Sequence, residues 1–311
     1  MSYQRSIAFL FILLKLFFRN NENSTESPDM KKALIAVVCI LISFAALAGY
    51  LNYRARRMPA INPGNFTAAQ LPAQKKNVAV CVGDSITHGA VSCNYVDILS
   101  GRDRLRRYTF VNAGINSELA YNAVQRADGI MACNPVVITI LIGTNDAAAS
   151  LSPGNQKRYR QDMDLPRLPD RGWYRENFRL LIQKFKTGTR ARIAVFSLPP
   201  IGEERESAAY KRAQEYSTIV KEVALSEKIT YLPLNERMDE IIAKRGMKNT
   251  PVYNENMYLM YKGIVQHYLL RMSYDEISSS NNFLLITDTL HLNCVGAALM
   301  ADMIEDFVME R

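Results

Sequence analysis

Residues 77–88 read NVAVCVGDSITH, an apolar run followed at once by a Gly-Asp-Ser turn. A short run of β-branched and small apolar residues without alternation is typical of a strand that is buried on both faces. In parallel α/β sheets, ligand sites form beyond the carboxyl ends of such strands. The stretch therefore predicts a buried parallel strand with a candidate nucleophile, Ser85, at its end.

Four further apolar runs share this character and alternate with helical patterns along the chain. Together the predicted strands cover residues 77–82, 108–112, 135–142, 192–198 and 229–234. Strands that alternate with helices form parallel sheets through right-handed crossovers, with helices on both faces. We therefore expect a five-stranded parallel sheet in a three-layer α/β/α sandwich.

Polar motifs stand at the ends of these strands and in a late loop. They are Asn112-Ala113-Gly114, Gly143-Thr144-Asn145-Asp146 and Asp288-Thr289-Leu290-His291. A serine needs a base before it can act as a nucleophile, and histidine serves best when a carboxylate orients its ring. Only His291, of three histidines, has an acid three residues before it, so we expect Ser85, Asp288 and His291 to act together.

The other two histidines receive less specific interpretations. His88 lies three positions after Ser85 on the following helix, points elsewhere and lacks an acidic partner, so we interpret it as structural. His267 lies in an apolar helical pattern over residues 258–270 and is interpreted as a packed or surface histidine. Asp84 and Asp146 are expected to hydrogen-bond nearby turns and not the substrate.

Taken in order, Gly83-Asp84-Ser85-Ile86-Thr87 and the three later motifs resemble the four blocks of the SGNH (GDSL-type) hydrolase family. The resemblance covers about residues 77–311 and implies a flavodoxin-like fold and a carboxylic ester hydrolase without cofactor or metal. It also implies an oxyanion hole, formed by the backbone N–H groups of Ser85 and Gly114 and the side-chain amide of Asn145. After Gly114 the chain lacks the further glycine that many members carry.

The substrate stays open at this level. An O-acetylated carbohydrate, a lysophospholipid or another short acyl ester would fit, and the acyl group could pass to a sugar instead of water. A different class of function is a catalytically silent binding module displayed at a membrane. Neither the acyl pocket nor the oligomeric state follows from the sequence.

The N-terminal region contains an apolar run, Ala33 to Leu51, in which Ser43 is the only clearly polar residue. We predict a transmembrane helix over residues 30–52, acting as an anchor or, if Ala46-Leu47-Ala48 is cleaved, as a signal. Basic residues flank both ends, so the orientation is not decided, although we favour an extracytoplasmic catalytic domain. Residues 1–29 are interpreted as a dispensable extension before a true start at Met30, and residues 53–76 as a linker to the hydrolase domain at 77–311.

The charge distribution and the cysteine content limit the classes of partner and metal that we expect. The net charge is +8, but residues 1–57 hold eight of the basic residues against three acidic ones, and the body has no basic stripe. Nucleic acid is therefore not an expected partner, whereas a membrane is. No cysteine spacing of the zinc type occurs, and we expect buried thiols, with a Cys93–Cys133 bond compatible with an oxidising compartment.

Two other segments have alternative interpretations. Residues 147–172 are expected to form a long irregular insertion, either a lid over the site or a solvated loop. The loop at residues 198–202 is expected to line the same cleft. Met257, Tyr258, Met260 and Tyr261 could contact an acyl chain or a membrane, but their helical spacing favours a place in the core.

Overall fold

The predicted strands form one parallel sheet. They are β1 (Asn77–Gly83), β2 (Tyr108–Gly114), β3 (Val137–Leu141), β4 (Arg192–Phe196) and β5 (Thr230–Leu232). Their order across the sheet is β2-β1-β3-β4-β5. Cys81 in the middle of β1 pairs with Asn112 on one side and Thr139 on the other. The chain changes direction across the sheet between β1 and β3, which is where ligand sites open in this topology.

The computed structural model describes residues 28–67, 77–246 and 249–310. Its helices are α1 (Pro28–Arg56), α2 (Ser85–His88), α3 (Tyr95–Ser100), α4 (Ala120–Gln125), α5 (Ala127–Met131), α6 (Thr144–Ala149), α7 (Pro153–Asp162), α8 (Arg171–Gly188), α9 (Ala208–Glu227), α10 (Leu234–Arg245), α11 (Tyr258–Tyr268), α12 (Tyr274–Ser280) and α13 (Cys294–Met309). A short 3₁₀ turn, Asp103–Leu105, precedes β2.

Helices cover both faces of the sheet, as expected for strands that are apolar on both sides. Helices α4, α5, α8 and α9 pack along one face, and α3, α10 and α13 pack along the other. Strand β3 is buried along its whole length, and the side chains of Tyr174, Phe178 and Phe185 on α8 are fully buried. The predicted three-layer α/β/α sandwich is thereby confirmed.

The cysteines pair differently from our expectation. Cys93 is joined to Cys294 across a sequence separation of 201 residues, whereas Cys133 and Cys81 are buried free thiols. The suggested Cys93–Cys133 bond is therefore wrong, as is the expectation of buried thiols at Cys93 and Cys294. The cause is tertiary, because Cys93 N–H donates to Leu292 O at 2.9 Å and so brings the two distant segments together.

The segment after α6 is more regular than we expected. Ser152 caps α7 by accepting a hydrogen bond from the N–H of Asn155 at 3.0 Å, and Pro153 occupies the first turn, where a missing N–H costs nothing. Only residues 163–170 between α7 and α8 lack regular structure. The expectation of an irregular insertion over 147–172 is therefore wrong, since much of it is helical and packs against the core.

The chain divides into two compact units, one that ends at Asn52 and one that begins at Tyr53. The first contains most of α1, and residues 32–56 of that helix, with a mean hydropathy of 2.6, are long and apolar enough to span a membrane. In the second unit, Ile61 O accepts from the N–H of Asn112 at 2.9 Å, so part of the predicted linker pairs with β2. The predicted extension up to residue 27 and the rest of that linker, 68–76, lie outside the described residues.

Candidate active site

Ser85 is the first residue of α2, directly beyond the carboxyl end of β1. Asp84 caps this helix, and its Oδ1 accepts from the N–H of Ile86 at 3.0 Å. The turn is tight: a Cβ at Gly83 would lie 2.1 Å from Thr87 Oγ1, so no larger residue fits there. The strand-to-helix turn thus holds the hydroxyl of Ser85 at the edge of the sheet.

Ser85, His291 and Asp288 form a continuous hydrogen-bonded chain. Ser85 Oγ lies 2.9 Å from His291 Nε2, and His291 Nδ1 lies 2.8 Å from Asp288 Oδ2. Asp288 Oδ1 also accepts the backbone N–H of His291 at 2.9 Å. The structure therefore brings together three predicted residues that span 206 positions of sequence.

A buried carboxylate stabilises the segment that leads into the turn carrying Asp288 and His291. Glu203, in the loop after β4, accepts backbone N–H groups from residues 284, 285 and 286 at 2.7, 2.7 and 3.2 Å. Gly202, in the same loop, donates its N–H to Thr289 O at 2.8 Å. The loop at residues 198–202 thus contacts the turn that presents the histidine.

The electrostatics of the Asp288–His291 pair favour a charged carboxylate beside the imidazole. Burial alone would raise the pKa of Asp288, but the charge of His291 and three hydrogen bonds hold it below its ordinary value. Burial alone would lower the pKa of His291, but the charge of Asp288 raises it above its ordinary value. The arrangement stabilises an imidazolium, which is what a base needs after it accepts a proton.

The side-chain amide of Asn145, in the first turn of α6, is held from three directions. Its Oδ1 accepts from the hydroxyl of Tyr159 at 2.9 Å, and its Nδ2 donates to Glu118 O at 3.0 Å and to Asp84 Oδ2 at 3.3 Å. The carbonyl oxygen of Glu118 can only accept a hydrogen bond, so the amide nitrogen must face it, and Oδ1 then faces the Tyr159 hydroxyl. Nδ2 is thereby directed towards Asp84, the residue before Ser85.

Gly114 ends β2 beside the serine turn, where its backbone is closely packed. A Cβ at this position would lie 2.2 Å from the backbone nitrogen of His88, which explains the absence of a side chain. Its N–H donates to Asn112 Oδ1 at 2.9 Å. That N–H is therefore already in a hydrogen bond within the protein.

Asp84 and Asp146 make the backbone hydrogen bonds that we expected of them. Asp146 Oδ2 accepts from the N–H of Ala120 at 3.1 Å, at the start of α4. Asp84, besides capping α2, contacts the amide of Asn145. Burial raises the pKa of each carboxyl to about 7.

The remaining histidines lie apart from the hydrogen-bonded chain. His88 is buried, burial lowers its pKa, and its Nδ1 has no hydrogen-bond partner. His267 is half-buried and stacks on Tyr274 with ring centroids 4.2 Å apart. Within residues 28–67, 77–246 and 249–310, no group of three or more His, Cys, Asp or Glu side chains is arranged to hold a metal ion.

Sequence reasoning missed two residues that shape the site, Tyr159 and Glu203. Tyr159 lies in a charged segment that resembles a surface loop, and Glu203 follows a Pro-Pro turn. Nothing local marks either one, because their partners lie in segments distant in sequence.

Comparisons with known proteins agree with this geometry. The family described as GDSL-like lipase/acylhydrolase matches residues 81–251, more than half of the 311 residues. No curated protein matches the sequence.

Two solved structures share the fold at low sequence identity. The chain is similar to the acetyl xylan esterase AlAXEase, at 18% identity and a TM-score of 0.54, over 75% of this chain and 100% of that chain. It is also similar to the acetylxylan esterase Axe2 of Geobacillus stearothermophilus, at 14% identity and a TM-score of 0.51, over 78% and 98% of the two chains. These likenesses concern the fold. On the family match, the chain belongs to the GDSL-like lipase/acylhydrolase family and is a carboxylic ester hydrolase.

Proposed function

We propose that this ester hydrolase works through an acyl-enzyme intermediate on Ser85. The observation that carries the proposal is the hydrogen-bonded chain from Ser85 Oγ to His291 Nε2 at 2.9 Å and from His291 Nδ1 to Asp288 at 2.8 Å. In this proposal, the Nδ1–H of His291 donates to the Asp288 carboxylate, and Nε2 accepts the proton of Ser85.

The reaction then proceeds in two halves. Ser85 Oγ attacks the ester carbonyl while its proton passes to His291 Nε2, and the imidazolium returns that proton to the leaving alcohol. Water attacks the acyl-enzyme with the same base and releases the acid. Each step uses side chains of this protein, and no metal or cofactor takes part.

We assign the oxyanion that develops on the carbonyl to two donors. The backbone N–H of Ser85 lies at the start of α2, and the Asn145 amide is aligned by Tyr159. The longer of the two Nδ2 hydrogen bonds, 3.3 Å to Asp84, is the one that an oxyanion would replace. Gly114, the third expected donor, gives its N–H to Asn112 Oδ1, so this hydrogen bond, like the one from Asn145 to Asp84, would have to be replaced by the oxyanion.

For the substrate, two ester classes have support. The two similar structures are acetylxylan esterases, which favours an O-acetylated carbohydrate as the first class to test. A lipid ester, such as a lysophospholipid, is supported by the mostly apolar side chains that line a small pocket beside Asp288. Hydrolysis of p-nitrophenyl esters of increasing acyl length separates them, because an acetyl-sized pocket excludes longer chains.

We further propose that α1 anchors the domain on the extracytoplasmic side of a membrane. The length and hydropathy of residues 32–56 support the anchor, and the Cys93–Cys294 bond supports an oxidising compartment. Reporter fusions after residue 57 test the orientation, and an active reporter of the cytoplasmic type would contradict it.

The direct test of the catalytic assignment is labelling with a fluorophosphonate followed by peptide mapping. We expect modification of Ser85 in the wild-type chain and none in Ser85→Ala or His291→Ala. The matched control is His88→Ala, which removes a nearby histidine and is expected to retain labelling. Labelling that survives His291→Ala but disappears in His88→Ala would refute the assignment.

A further inference from the structure

Helix α11 exposes a row of large apolar side chains, which we call the outer stripe. Tyr258, Tyr261, Val265 and Leu269 are 64%, 60%, 38% and 47% exposed. At 100° per residue these positions fall on one face of the helix, which extends one residue further as a turn. No residue of α11 is buried, so the expectation that this segment belongs to the core is wrong.

The opposite face of α11 is apolar as well. Met260, Gly263 and Ile264 line the small pocket beside Asp288, and Tyr274 and Asp288 line it from the body of the domain. A surface helix ordinarily turns a polar face to water, whereas α11 turns an apolar stripe outwards, with Lys262 and Gln266 beside it. A row of exposed large apolar side chains favours contact with another apolar surface.

The last residues of α1, which belong to the second unit, lie beside this helix. The guanidinium of Arg54 lies 4.6 Å from the ring centroid of Tyr268, in the last turn of α11. Ala55 O accepts from Asn116 Nδ2 at 2.8 Å, so this end of α1 is held to the domain. Leu51 closes the apolar run only three residues before Arg54, a length of chain of about 10 Å at most.

The surroundings of the stripe also match a lipid surface. Arg56, Arg57 and Arg271 are exposed and suit anionic headgroups, while tyrosines with an apolar ring and a polar tip favour the membrane interface. The hydroxyls of Tyr268 and Tyr274 both donate to Ala90 O, in the loop after α2. These contacts hold the end of α11 and the start of α12 to the segment that follows Ser85.

We propose that the outer stripe of α11 docks on the lipid bilayer in which the chain is anchored. The proposal rests on the proposed membrane anchor. Lipid is the expected partner of the outer stripe because the apolar run of the anchor ends within three residues of a contact with α11. Docking turns the small pocket beneath α11, and with it the neighbourhood of Asp288, towards the membrane.

The test uses the full chain, reconstituted in vesicles of phosphatidylcholine and phosphatidylglycerol. On a Cys39→Ser background, an environment-sensitive NBD fluorophore is attached at Tyr261→Cys, or at Val265→Cys as a second position. The control is Leu225→Cys on α9, an apolar site that is more exposed, at 69%, than either stripe position. Hydrolysis of a soluble p-nitrophenyl ester verifies that each variant is folded.

Lipids with brominated acyl chains are expected to quench the fluorophore at both stripe positions about two-fold or more, and at the control position hardly at all. Equal quenching at the stripe and the control would overturn the docking. A blue-shifted emission without bromine quenching would also overturn it, since the cover would then be a second protein copy. Extraction of the chain by alkaline carbonate would instead show that the anchor fails, and the docking with it.

Discussion

Removal of the Cys93–Cys294 disulfide is expected to lower both stability and activity. The bridge closes a loop of 201 residues, for which the chain-entropy relation gives about 5 kcal/mol, towards the upper end of the measured range of about 2–5. For a domain of this size, we therefore expect the double variant Cys93→Ser/Cys294→Ser to melt roughly 10 °C below the wild type.

The bridge lies next to the proposed catalytic residues, which links its loss to function. Cys294 follows His291 by three residues, and Ser92 Oγ contacts both the N–H and the carbonyl of Leu292 at 3.1 Å. Without the covalent link, hydrogen bonds of this kind and the packing of α13 on α3 hold the histidine segment against the loop after α2. We expect esterase activity to fall at temperatures below the main unfolding transition.

The assay follows the fluorescence of Trp173, the single tryptophan, during heating of the detergent-solubilised chain with and without dithiothreitol. The reductant should lower the Tm of the wild type and of Cys39→Ser, but leave the double variant unchanged. Alkylation of the denatured, unreduced chain should modify three cysteines, since Cys39, Cys81 and Cys133 are free. Five modified cysteines, or a Tm indifferent to reductant, would refute the reasoning.

Three further predictions concern the site. Asp288→Asn should lower kcat about 10⁴-fold. The carboxylate raises the pKa of His291 above 6.5, and the imidazole must be neutral to act as a base, so the acid limb of kcat/KM should lie above pH 6.5 in the wild type. In any residual activity of the variant, the acid limb should move to lower pH. Tyr159→Phe should lower kcat about tenfold with little change in KM, since it releases the amide of Asn145. Gly114→Ala should destabilise the fold, as measured by Tm, because its Cβ would meet the backbone of α2 at 2.2 Å.

Two of these predictions have a control variant within the chain. Gly129→Ala, in α5, adds a Cβ with nothing within 4 Å and should leave stability unchanged or raise it by about 0.5–1 kcal/mol. Tyr253→Phe removes a hydroxyl that contacts Asn155 instead of Asn145, and should leave kcat unchanged. An equal loss of kcat in Tyr159→Phe and Tyr253→Phe, or an acid limb that does not move in Asp288→Asn, would contradict the roles assigned.

The strands and the candidate catalytic motifs were predictable because both are encoded by residues close together in the sequence. A strand buried on both faces must be apolar throughout, so β1 and β3 are visible as uninterrupted runs, within a residue or two of their observed ends. Asp288 and His291 are three residues apart, and a single turn suffices to pair them. Information of this kind is local, and a sequence displays it directly.

The failures share another cause. The helix α11 has the apolar periodicity of a core helix, and only the packing of the rest of the chain leaves its outer stripe uncovered. Residues 147–172 were judged by their charge and prolines, although Ser152 and Pro153 begin a helix there. In both segments the deciding factor was which surface the segment meets, and composition does not encode that.

By itself, then, the sequence determined the sheet, the order of the motif blocks and the apolar N-terminal helix, and it predicted Ser85, Asp288 and His291 as candidate catalytic residues. Only the tertiary structure decided that Cys93 pairs with Cys294, that Tyr159 orients Asn145 and that the N–H of Gly114 is already engaged. The physical reason is the distance along the sequence over which each interaction acts. Burial pattern and turn spacing act over a few residues, whereas a disulfide or a hydrogen bond between distant segments depends on how the whole chain packs.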